Sequence, residues 1–322
     1  MATSMVIIFH EGNISTIFGK PGSGKTNLAT VFMEKLVELG FHVYTNINFF
    51  KYEQVGEAIR KRKLRYIKGH VYRKKPEEIH IITSVSELLI GLLTTEKNVV
   101  ILDETGIFGS SATPNSKKVR SLKELAFIIR HLSASLCLLA QSKGSIVPDL
   151  RSTLVEFEIR IYDLGYGHRM MTIATAVSRK DIITGEEIVE FEVADGDEYH
   201  NIPPTHLPFD SKFLPAFDID IDLTESLKRL SKYNSIDVMV HGAEIIRELV
   251  EENKNKKGSK SHATRADERR EARKLFVEKS EENPTAKNKF LSRKELLVYV
   301  AKKFDRTYQW SLNACSGLKF QS

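Results

Sequence analysis

Residues 14–26, with the sequence ISTIFGKPGSGKT, contain the pattern that decides the expected fold. A short apolar run leads directly into residues 19–26, which match the phosphate-loop pattern G-x-x-x-x-G-K-[ST] at every fixed position. Glycines in such a loop allow backbone N–H groups to turn inward and bind phosphate oxygens, and the helix that begins there contributes the positive end of its dipole. The sequence therefore predicts a strand, a phosphate-binding loop and a helix, in that order.

The polar side chains of this loop have distinct expected roles. Lys25 is expected to reach the β- and γ-phosphates of a nucleotide as a point charge, and the hydroxyl of Thr26 is expected to bind Mg²⁺. ATP and Mg²⁺ are accordingly the predicted cofactors. The predicted nucleotide-binding residues are Gly19, Lys20, Pro21, Gly22, Ser23, Gly24, Lys25, Thr26 and Asn27.

A second motif supplies two carboxylates. Residues 98–104, NVVILDE, form a continuous apolar run that ends in two acids, as is typical of a strand buried on both faces. Asp103 is predicted to hold the Mg²⁺ shell, and Glu104 is predicted to orient and activate the attacking water. The pair favours a hydrolase over a small-molecule kinase, which has no need to activate water. Two acids after a strand can also form a helix-capping turn.

Three further polar residues are candidates for the catalytic site. The next apolar run, residues 135–141, ends in Gln141, which is predicted to sense the γ-phosphate or to position water; the alternative is a polar residue that merely opens a loop. Arg130 and Arg151 are candidates for completing the site of a neighbouring subunit, where an arginine stabilises charge in the transition state. We favour Arg151 for this action in trans and Arg130 for coupling between sites. Either can equally be an ordinary surface or interface arginine.

The remaining patterns indicate the fold class. Residues 154–163 alternate apolar and polar side chains, and two further segments, 169–178 and 187–193, follow between glycine-containing turns, which predicts an antiparallel meander. Residues 5–18 contain two apolar runs around a turn signal and predict a hairpin. The expected fold is α/β: a P-loop NTPase domain of the RecA/ASCE type, with a mainly parallel central sheet, peripheral antiparallel strands and a small α-helical C-terminal module.

The charge distribution suggests three segments. We predict an ATPase domain over residues 1–225, a charged helical linker over 226–283 and a basic helix-turn-helix-like module over 284–322. The net charge of the chain is +6, and the terminal module alone accounts for it, with eight basic and two acidic residues. This asymmetry suggests contact with a polyanion, although a solvated basic surface has the same composition. A second basic run at 60–75 is compatible with a nucleic-acid-binding loop or with an exposed helix-and-loop insertion.

The composition excludes several classes of protein. Two cysteines cannot form a disulfide framework, and neither lies in a paired metal-ligand pattern. No apolar run approaches the roughly 18 residues that span a bilayer, and the N-terminus lacks the features of a signal peptide. We therefore expect a cytoplasmic protein without a membrane span.

With these motifs assembled, the segment from residue 14 to about 165 resembles the FtsK–HerA branch of P-loop ATPases. The resemblance depends on LDE at 102–104, FIIRHL at 127–132, LLAQ at 138–141 and PDLRSTLVEFEIRIY at 148–162. The stretch HVYTNI and the ending AQ…IVPDLRS are especially similar to the Zot-like ATPases of filamentous phages and to viral genome-packaging ATPases.

The resemblance implies ATP hydrolysis by a homo-oligomeric, hexameric ring that moves double-stranded DNA or a filament, with a capsid or another assembly as a further partner. Zot-like proteins usually carry a membrane segment, and none is expected here, which favours DNA translocation or packaging over virion extrusion. The module at 284–322 lies outside the resemblance, so its expected role in DNA binding depends on charge and spacing alone.

Three functions therefore remain open from the sequence. The leading hypothesis is an ATP-driven motor that translocates or packages the double-stranded DNA of a virus or mobile element. The second hypothesis keeps the ATPase but assigns it to the assembly or export of a virion or protein. The third is a nucleotide-switched DNA-binding protein with a regulatory or partition role.

Overall fold

The central feature of the fold is one eight-stranded sheet. The computed structural model describes residues 7–103, 117–146, 148–165, 168–180, 187–210, 217–259, 263–282, 293–303 and 308–316. The strands are β1 (Ile14–Phe18), β2 (His42–Thr45), β3 (Ile79–Ile81), β4 (Asn98–Leu102), β5 (Ser135–Ala140), β6 (Phe157–Gly165), β7 (His168–Lys180) and β8 (Glu187–His200).

The order of strands across the sheet is β3-β2-β4-β5-β1-β6-β7-β8, and the first six of these strands run parallel. β5 lies between β1, which precedes the phosphate loop, and β4, which ends immediately before Asp103. A strand added between these two, here β5, is expected of a P-loop domain of the RecA/ASCE type. The α/β P-loop prediction is therefore confirmed.

Helices follow most of the parallel strands. Among the described residues, no helix is long and apolar enough to cross a membrane. The α-helices are α1 (Lys25–Glu38), α2 (Val55–Arg60), α3 (Val85–Thr94), α4 (Lys117–His131), α5 (Pro148–Leu154), α6 (Leu223–Leu230), α7 (Ser235–Ser259), α8 (Ala263–Glu282), α9 (Arg293–Lys303) and α10 (Tyr308–Ala314).

The hydrophobic core lies on both faces of the sheet. Successive side chains of a strand point to opposite faces. Along β4, Val99 and Ile101 pack with residues of α1, whereas Val100 and Leu102 pack with residues of α3 and α4. Helices on both faces therefore bury every residue of this strand, which explains its unbroken apolar run.

The strands β6, β7 and β8 form the antiparallel meander that the alternating segments predict. β7 and β8 pair from Lys180 with Glu187 to Met170 with His200. β8 is longer than predicted, because it continues to His200 through residues whose polar composition did not suggest a strand. The meander nevertheless joins the core, since Met171 of β7 is fully buried.

For the described residues, the predicted hairpin at 5–18 is wrong. Residues 7 and 8 are helical and are followed by turns, so that only the second apolar run forms a strand. Ile8 and Phe9 are neighbours in sequence and are both buried, whereas a half-buried strand would expose one of them. The ring of Phe9 packs edge-on against Phe32 of α1, with 5.6 Å between the ring centroids.

The chain divides into two compact units, Met1–Val250 and Glu251–Ser322. In the first unit, α6 and the first part of α7 join the core through Leu230, Ile246 and Leu249. The division at 250 falls within the charged helical linker predicted over 226–283. Apolar side chains of α6 and α7 extend the core of the first unit beyond residue 225.

The second unit has a small core of its own. Ala272 and Phe276 of α8 pack with Leu297 and Val300 of α9 and with Cys315, which follows α10. The helix α8 therefore packs against other helices, although its charged sequence predicted a linker. The DNA-binding role of the basic residues in 284–322 stays a prediction.

Replacing Phe9 with Ala is expected to lower the free energy of unfolding by about 3–5 kcal/mol, because the change removes a fully buried aromatic ring. The matched control is Ile7→Ala, two residues away, where the side chain is 56% exposed. That variant should change the free energy of unfolding by less than about 0.5 kcal/mol. Urea unfolding measures both variants. Equal losses of unfolding free energy would contradict the turn that buries Phe9 and exposes Ile7.

Candidate functional site

The phosphate loop connects β1 to α1 and leaves no room for a side chain at two of its glycines. Gly24 caps α1 with φ of +101°, in the left-handed region that glycine tolerates. A Cβ atom on Gly19 would lie 2.4 Å from the side chain of Ile161 and from Ser23 Oγ. The loop can therefore pack closely against β6 only with glycine at these positions.

Lys25 is the first residue of α1 and is only 8% exposed. Its Nζ donates hydrogen bonds to the carbonyl oxygens of Gly19, at 2.8 Å, and Lys20, at 3.3 Å. The side chain thus folds back over the loop that precedes it. The structure holds a buried positive charge within the phosphate loop, as the predicted role of Lys25 requires.

Thr26 and Asp103 are 77 positions apart in the sequence and meet at one edge of the sheet. Thr26 Oγ1 donates a hydrogen bond to Asp103 Oδ2 at 2.9 Å. Ser23 Oγ, in the same loop, is buried without a hydrogen-bond partner among the described residues. A hydroxyl beside a carboxylate supplies the hard oxygen ligands that Mg²⁺ prefers, so these residues fit the predicted metal. When bound, Mg²⁺ would neutralise charge on the nucleotide phosphates.

Asn46 is a positioning residue that the sequence analysis missed. It follows β2 and is 2% exposed. Its Nδ2 donates to the carbonyl oxygen of Asp103 at 3.1 Å, and its Oδ1 accepts from the backbone N–H of Asp103 at 2.8 Å. These two bonds fix the backbone of Asp103, the predicted metal ligand. The signal was present in the sequence, since Asn46 is a polar residue directly after the apolar strand β2.

The phosphate loop and the strand ends face a common cleft of about 630 Å³. Asp103 and Gln141 both line it, because β4 and β5 are parallel neighbours whose carboxyl ends meet at one edge. Gln141 is exposed and therefore accessible from the cleft. Glu104, the predicted water-activating residue, lies outside the described residues. The loop residues that line the cleft are Pro21, Gly22, Gly24, Lys25, Thr26 and Asn27.

Arg130 lies at the opposite edge of the sheet from this cleft. It is in the last turn of α4, and its Nη2 is 3.8 Å from Glu156, which directly precedes β6. Since β1 and β6 are parallel, the residue before β6 lies at the amino ends of the strands, whereas the phosphate loop follows their carboxyl ends. Arg130 therefore does not line the cleft of its own chain.

Arg151 is held within its own chain by a buried carboxylate. Its Nε donates to Glu158 Oε1 at 2.5 Å. Glu158 is fully buried and also pairs with Lys143, at 3.0 Å, and Arg160, at 3.1 Å. Burial alone would raise the pKa of the Glu158 carboxyl, but hydrogen bonds from these three cations outweigh it and hold the pKa below its ordinary value. The catalytic roles proposed for Arg130 and Arg151 stay predictions.

Arg169, in β7, lines the cleft and is a further residue that the sequence analysis missed. It lines the cleft together with the phosphate loop. A Cβ atom on Gly24 would come within 2.7 Å of the guanidinium carbon of Arg169, so this cation lies directly against the N-terminus of α1. A cation there would strengthen the attraction of phosphate groups. No motif marks Arg169, which reaches the loop only because β7 folds back beside β6.

Replacing Arg169 with Ala is expected to weaken ATP binding about tenfold, because the change removes one charge-assisted contact to phosphate. The matched control is Arg179→Ala on the same strand, whose side chain is 59% exposed and pairs with Glu192. The control should bind ATP as the wild type does. Calorimetric titration measures both dissociation constants. Equal affinities for the two variants would contradict the position of Arg169 beside the phosphate loop.

The Glu158 cluster predicts a specific dependence of stability on pH. Because the folded-state pKa of Glu158 is lowered, its stabilising contribution is present above the unfolded-state pKa and is lost as the pH falls through the folded-state pKa. Replacing Glu158 with Gln should lower the free energy of unfolding by about 1–3 kcal/mol near neutral pH, since three partly exposed cations lose the buried carboxylate with which they pair. The loss should shrink as the pH falls below the ordinary pKa of a glutamate.

The matched control for this prediction is Glu190→Gln, on strand β8 of the same meander. Glu190 is 57% exposed and lies 3.9 Å from Arg179. Its replacement should change the free energy of unfolding by less than about 0.5 kcal/mol at any pH. Urea unfolding from neutral to acidic pH measures both variants. A constant loss for Glu158→Gln over that range would contradict a lowered pKa for this carboxyl in the folded protein.

The chain is similar to several solved structures at low sequence identity. The N-terminal domain of zonular occludens toxin from Neisseria meningitidis is 20% identical over 58% of this chain and 96% of that chain, with a TM-score of 0.31. B204, the DNA-packaging ATPase from Sulfolobus turreted icosahedral virus, is 14% identical over 56% of this chain and 98% of that chain, with a TM-score of 0.34. The genome packaging NTPase B204 from Sulfolobus turreted icosahedral virus 2, solved with ATP-γ-S, is 12% identical over 56% of this chain and 97% of that chain, with a TM-score of 0.33.

The family assignment depends on a sequence model, since all three TM-scores lie below 0.5. A search of curated protein sequences finds no match. The model of the family described as Zonular occludens toxin (Zot) matches residues 13–196, more than half of the chain. The matched segment contains the phosphate loop, Asp103, Gln141 and most of the meander. The similarity to Zot-like ATPases is thereby confirmed, and the chain belongs to the zonular occludens toxin (Zot) family.

Proposed function

We propose that this protein hydrolyses ATP in the phosphate-loop cleft and acts as a ring motor that translocates or packages the double-stranded DNA of a virus or mobile element. The observation that carries the proposal is the hydrogen bond between Thr26 and Asp103. It joins the phosphate loop to the end of a buried parallel strand, in a chain of the Zot family. The resemblance of residues 14 to about 165 to the FtsK–HerA branch supports the same reading.

The residues of the cleft and Glu104, which the sequence motif supplies, have distinct proposed roles in ATP hydrolysis. Lys25 and the loop backbone hold the β- and γ-phosphates, and Thr26 with Asp103 holds Mg²⁺. The oxygen of a water molecule attacks the γ-phosphorus while Glu104 accepts its proton, and the bond to the β–γ bridging oxygen breaks. The products are ADP and inorganic phosphate. Gln141 orients the water or senses the γ-phosphate.

A ring places a second subunit beside the cleft, and the two arginine candidates differ in how they could serve it. Arg130 has a half-exposed side chain at the edge of the sheet opposite its own cleft. This position supports a role toward a neighbouring subunit. Arg151 would first have to leave its ion pair with the buried Glu158. We therefore propose Arg130 as the residue to test first for communication between subunits.

The charge of the second unit supports DNA as the load. Residues 284–322 carry a charge of +6, equal to that of the whole chain. Lys294, Lys302 and Lys303 of α9 are exposed. Lysines contact phosphates more than bases, so DNA binding should depend strongly on salt and little on sequence.

A second function, ATP-driven assembly or export of a virion or protein, is favoured by the family assignment itself. The resemblance to Zot-like ATPases of filamentous phages allows a filament or protein as the load. Both functions use the same ATP site and differ only in what is moved. The effect of DNA on turnover therefore separates them.

The steady-state ATPase rate should rise several-fold with long double-stranded DNA, and the rise should collapse at high salt because counterion release drives the binding. Lys25→Ala is the blank, since it removes the charge within the phosphate loop. A Lys25-dependent rate that DNA does not change would contradict DNA translocation and favour the assembly motor. The absence of any Lys25-dependent rate, with or without DNA, would contradict ATP hydrolysis by this chain and favour a nucleotide switch.

Two combined variants test the source of the DNA effect. Replacing Lys294, Lys302 and Lys303 with Gln should reduce the stimulation by DNA and its dependence on salt. The matched control replaces three exposed lysines of the first unit with Gln and should keep both. The control lysines are Lys35, Lys51 and Lys232.

A further inference from the structure

Two chain segments line part of the cleft. We call residues 61–75 the strap and residues 202–209 the shelf. The strap is the middle and end of the basic run at 60–75, and the structure places part of it against the nucleotide site. The apolar residues that line the cleft are Leu64, Ile67 and Tyr72 from the strap and Ile202, Pro204 and Phe209 from the shelf. Lys63 and Arg65 of the strap line it as well.

The strap is fixed to the shelf by hydrogen bonds and by ring stacking. The backbone N–H of Arg73 donates to the carbonyl oxygen of His206 at 2.8 Å. The His70 ring bonds the carbonyl oxygen of Thr205 at 2.8 Å, and the His206 ring bonds that of Val71 at 3.0 Å. The two imidazole rings stack with 4.7 Å between centroids. The strap therefore has a defined position over the cleft.

The shelf is in turn fixed to α1, the helix that follows the phosphate loop. Asn27 Nδ2 donates to the carbonyl oxygen of Pro203 at 3.0 Å, and Asn27 Oδ1 accepts from the N–H of Thr205 at 3.1 Å. Glu34 Oε1 accepts from the Thr205 hydroxyl at 2.5 Å and from the next two backbone N–H groups at 2.6 and 2.9 Å. These bonds hold the shelf at a fixed distance from the helix that follows the phosphate loop.

Tyr72 is the aromatic residue of the strap that lines the cleft. Its ring is partly buried, and its hydroxyl donates to the carbonyl oxygen of Arg65 at 2.5 Å, which fixes the orientation of the ring. Leu64 is 7% exposed and lies in the same wall. Aromatic and aliphatic side chains form the surfaces on which nucleobases stack in proteins.

The cleft therefore offers two kinds of surface. Lys25, Thr26 and Asp103 suit the triphosphate, and the apolar side chains of the strap and the shelf suit a flat heterocycle. Resting on the proposed function, we propose that the space between strap and shelf is the nucleobase subsite, in which a purine ring packs on Tyr72 and Ile67. The strap then acts in nucleotide recognition, and its basic sequence is not by itself a sign of DNA binding.

The test compares two ligands that share phosphates and differ in the base. Calorimetry of the full chain with Mg²⁺ measures the dissociation constants of ATP and of inorganic tripolyphosphate. Tyr72→Ala should weaken ATP binding about tenfold or more and should leave tripolyphosphate binding within about twofold, because only ATP has a base to lose. The matched control is Tyr66→Ala in the same strap, where the ring is 68% exposed and should affect neither ligand.

Further variants keep the proposal falsifiable. Tyr72→Phe keeps the ring and should retain ATP affinity within about twofold, and Ile67→Ser should reproduce the selective loss if Tyr72→Ala does not fold. Equal weakening of ATP and tripolyphosphate by Tyr72→Ala, or no weakening of either, would overturn the base subsite. Failure of the proposed function is distinguishable, because the Lys25-dependent ATPase rate would then be absent while Tyr72→Ala still weakened ATP binding selectively.

Discussion

The parallel pairing of β1, β5 and β4 is the constraint on which the candidate site depends. It brings the carboxyl ends of three strands to one edge, so that Thr26 can donate a hydrogen bond to Asp103 across 77 positions of sequence. Because β5 lies between the other two strands, Gln141 enters the same cleft. Asn46 then fixes the backbone of Asp103 from the next strand. The order of the strands thus brings together side chains that are distant in the sequence.

Two polar networks connect the rigid sheet to the segments around the cleft. The buried carboxylate of Glu158, on β6, holds Lys143 and Arg151, which follow the strand that carries Gln141. On the other side, Asn27 and Glu34 of α1 hold the shelf, and the shelf holds the strap. Each network begins on an element adjacent to the phosphate loop.

The parts of the fold that depend on local pattern could be predicted from the sequence. A local motif or periodicity identifies the phosphate loop, the buried strand before Asp103 and the alternating meander. The turn at Phe9 could not be predicted, because its burial depends on a distant partner, Phe32. The positions of Arg169 and of the strap beside the cleft could not be predicted for the same reason, since only tertiary contacts bring them there. Asn46 was accessible in principle, as a polar residue at the end of an apolar strand.

Binding of Mn²⁺ as a paramagnetic substitute for Mg²⁺ tests the central claim most directly, because it reports on the metal that Thr26 and Asp103 are expected to hold. Electron paramagnetic resonance of the wild-type protein with ADP should show bound Mn²⁺ with hyperfine coupling to phosphorus. Replacing Asp103 with Asn should weaken this metal binding at least about tenfold. Phosphorus-coupled Mn²⁺ bound equally well by the variant would contradict the assignment of the site.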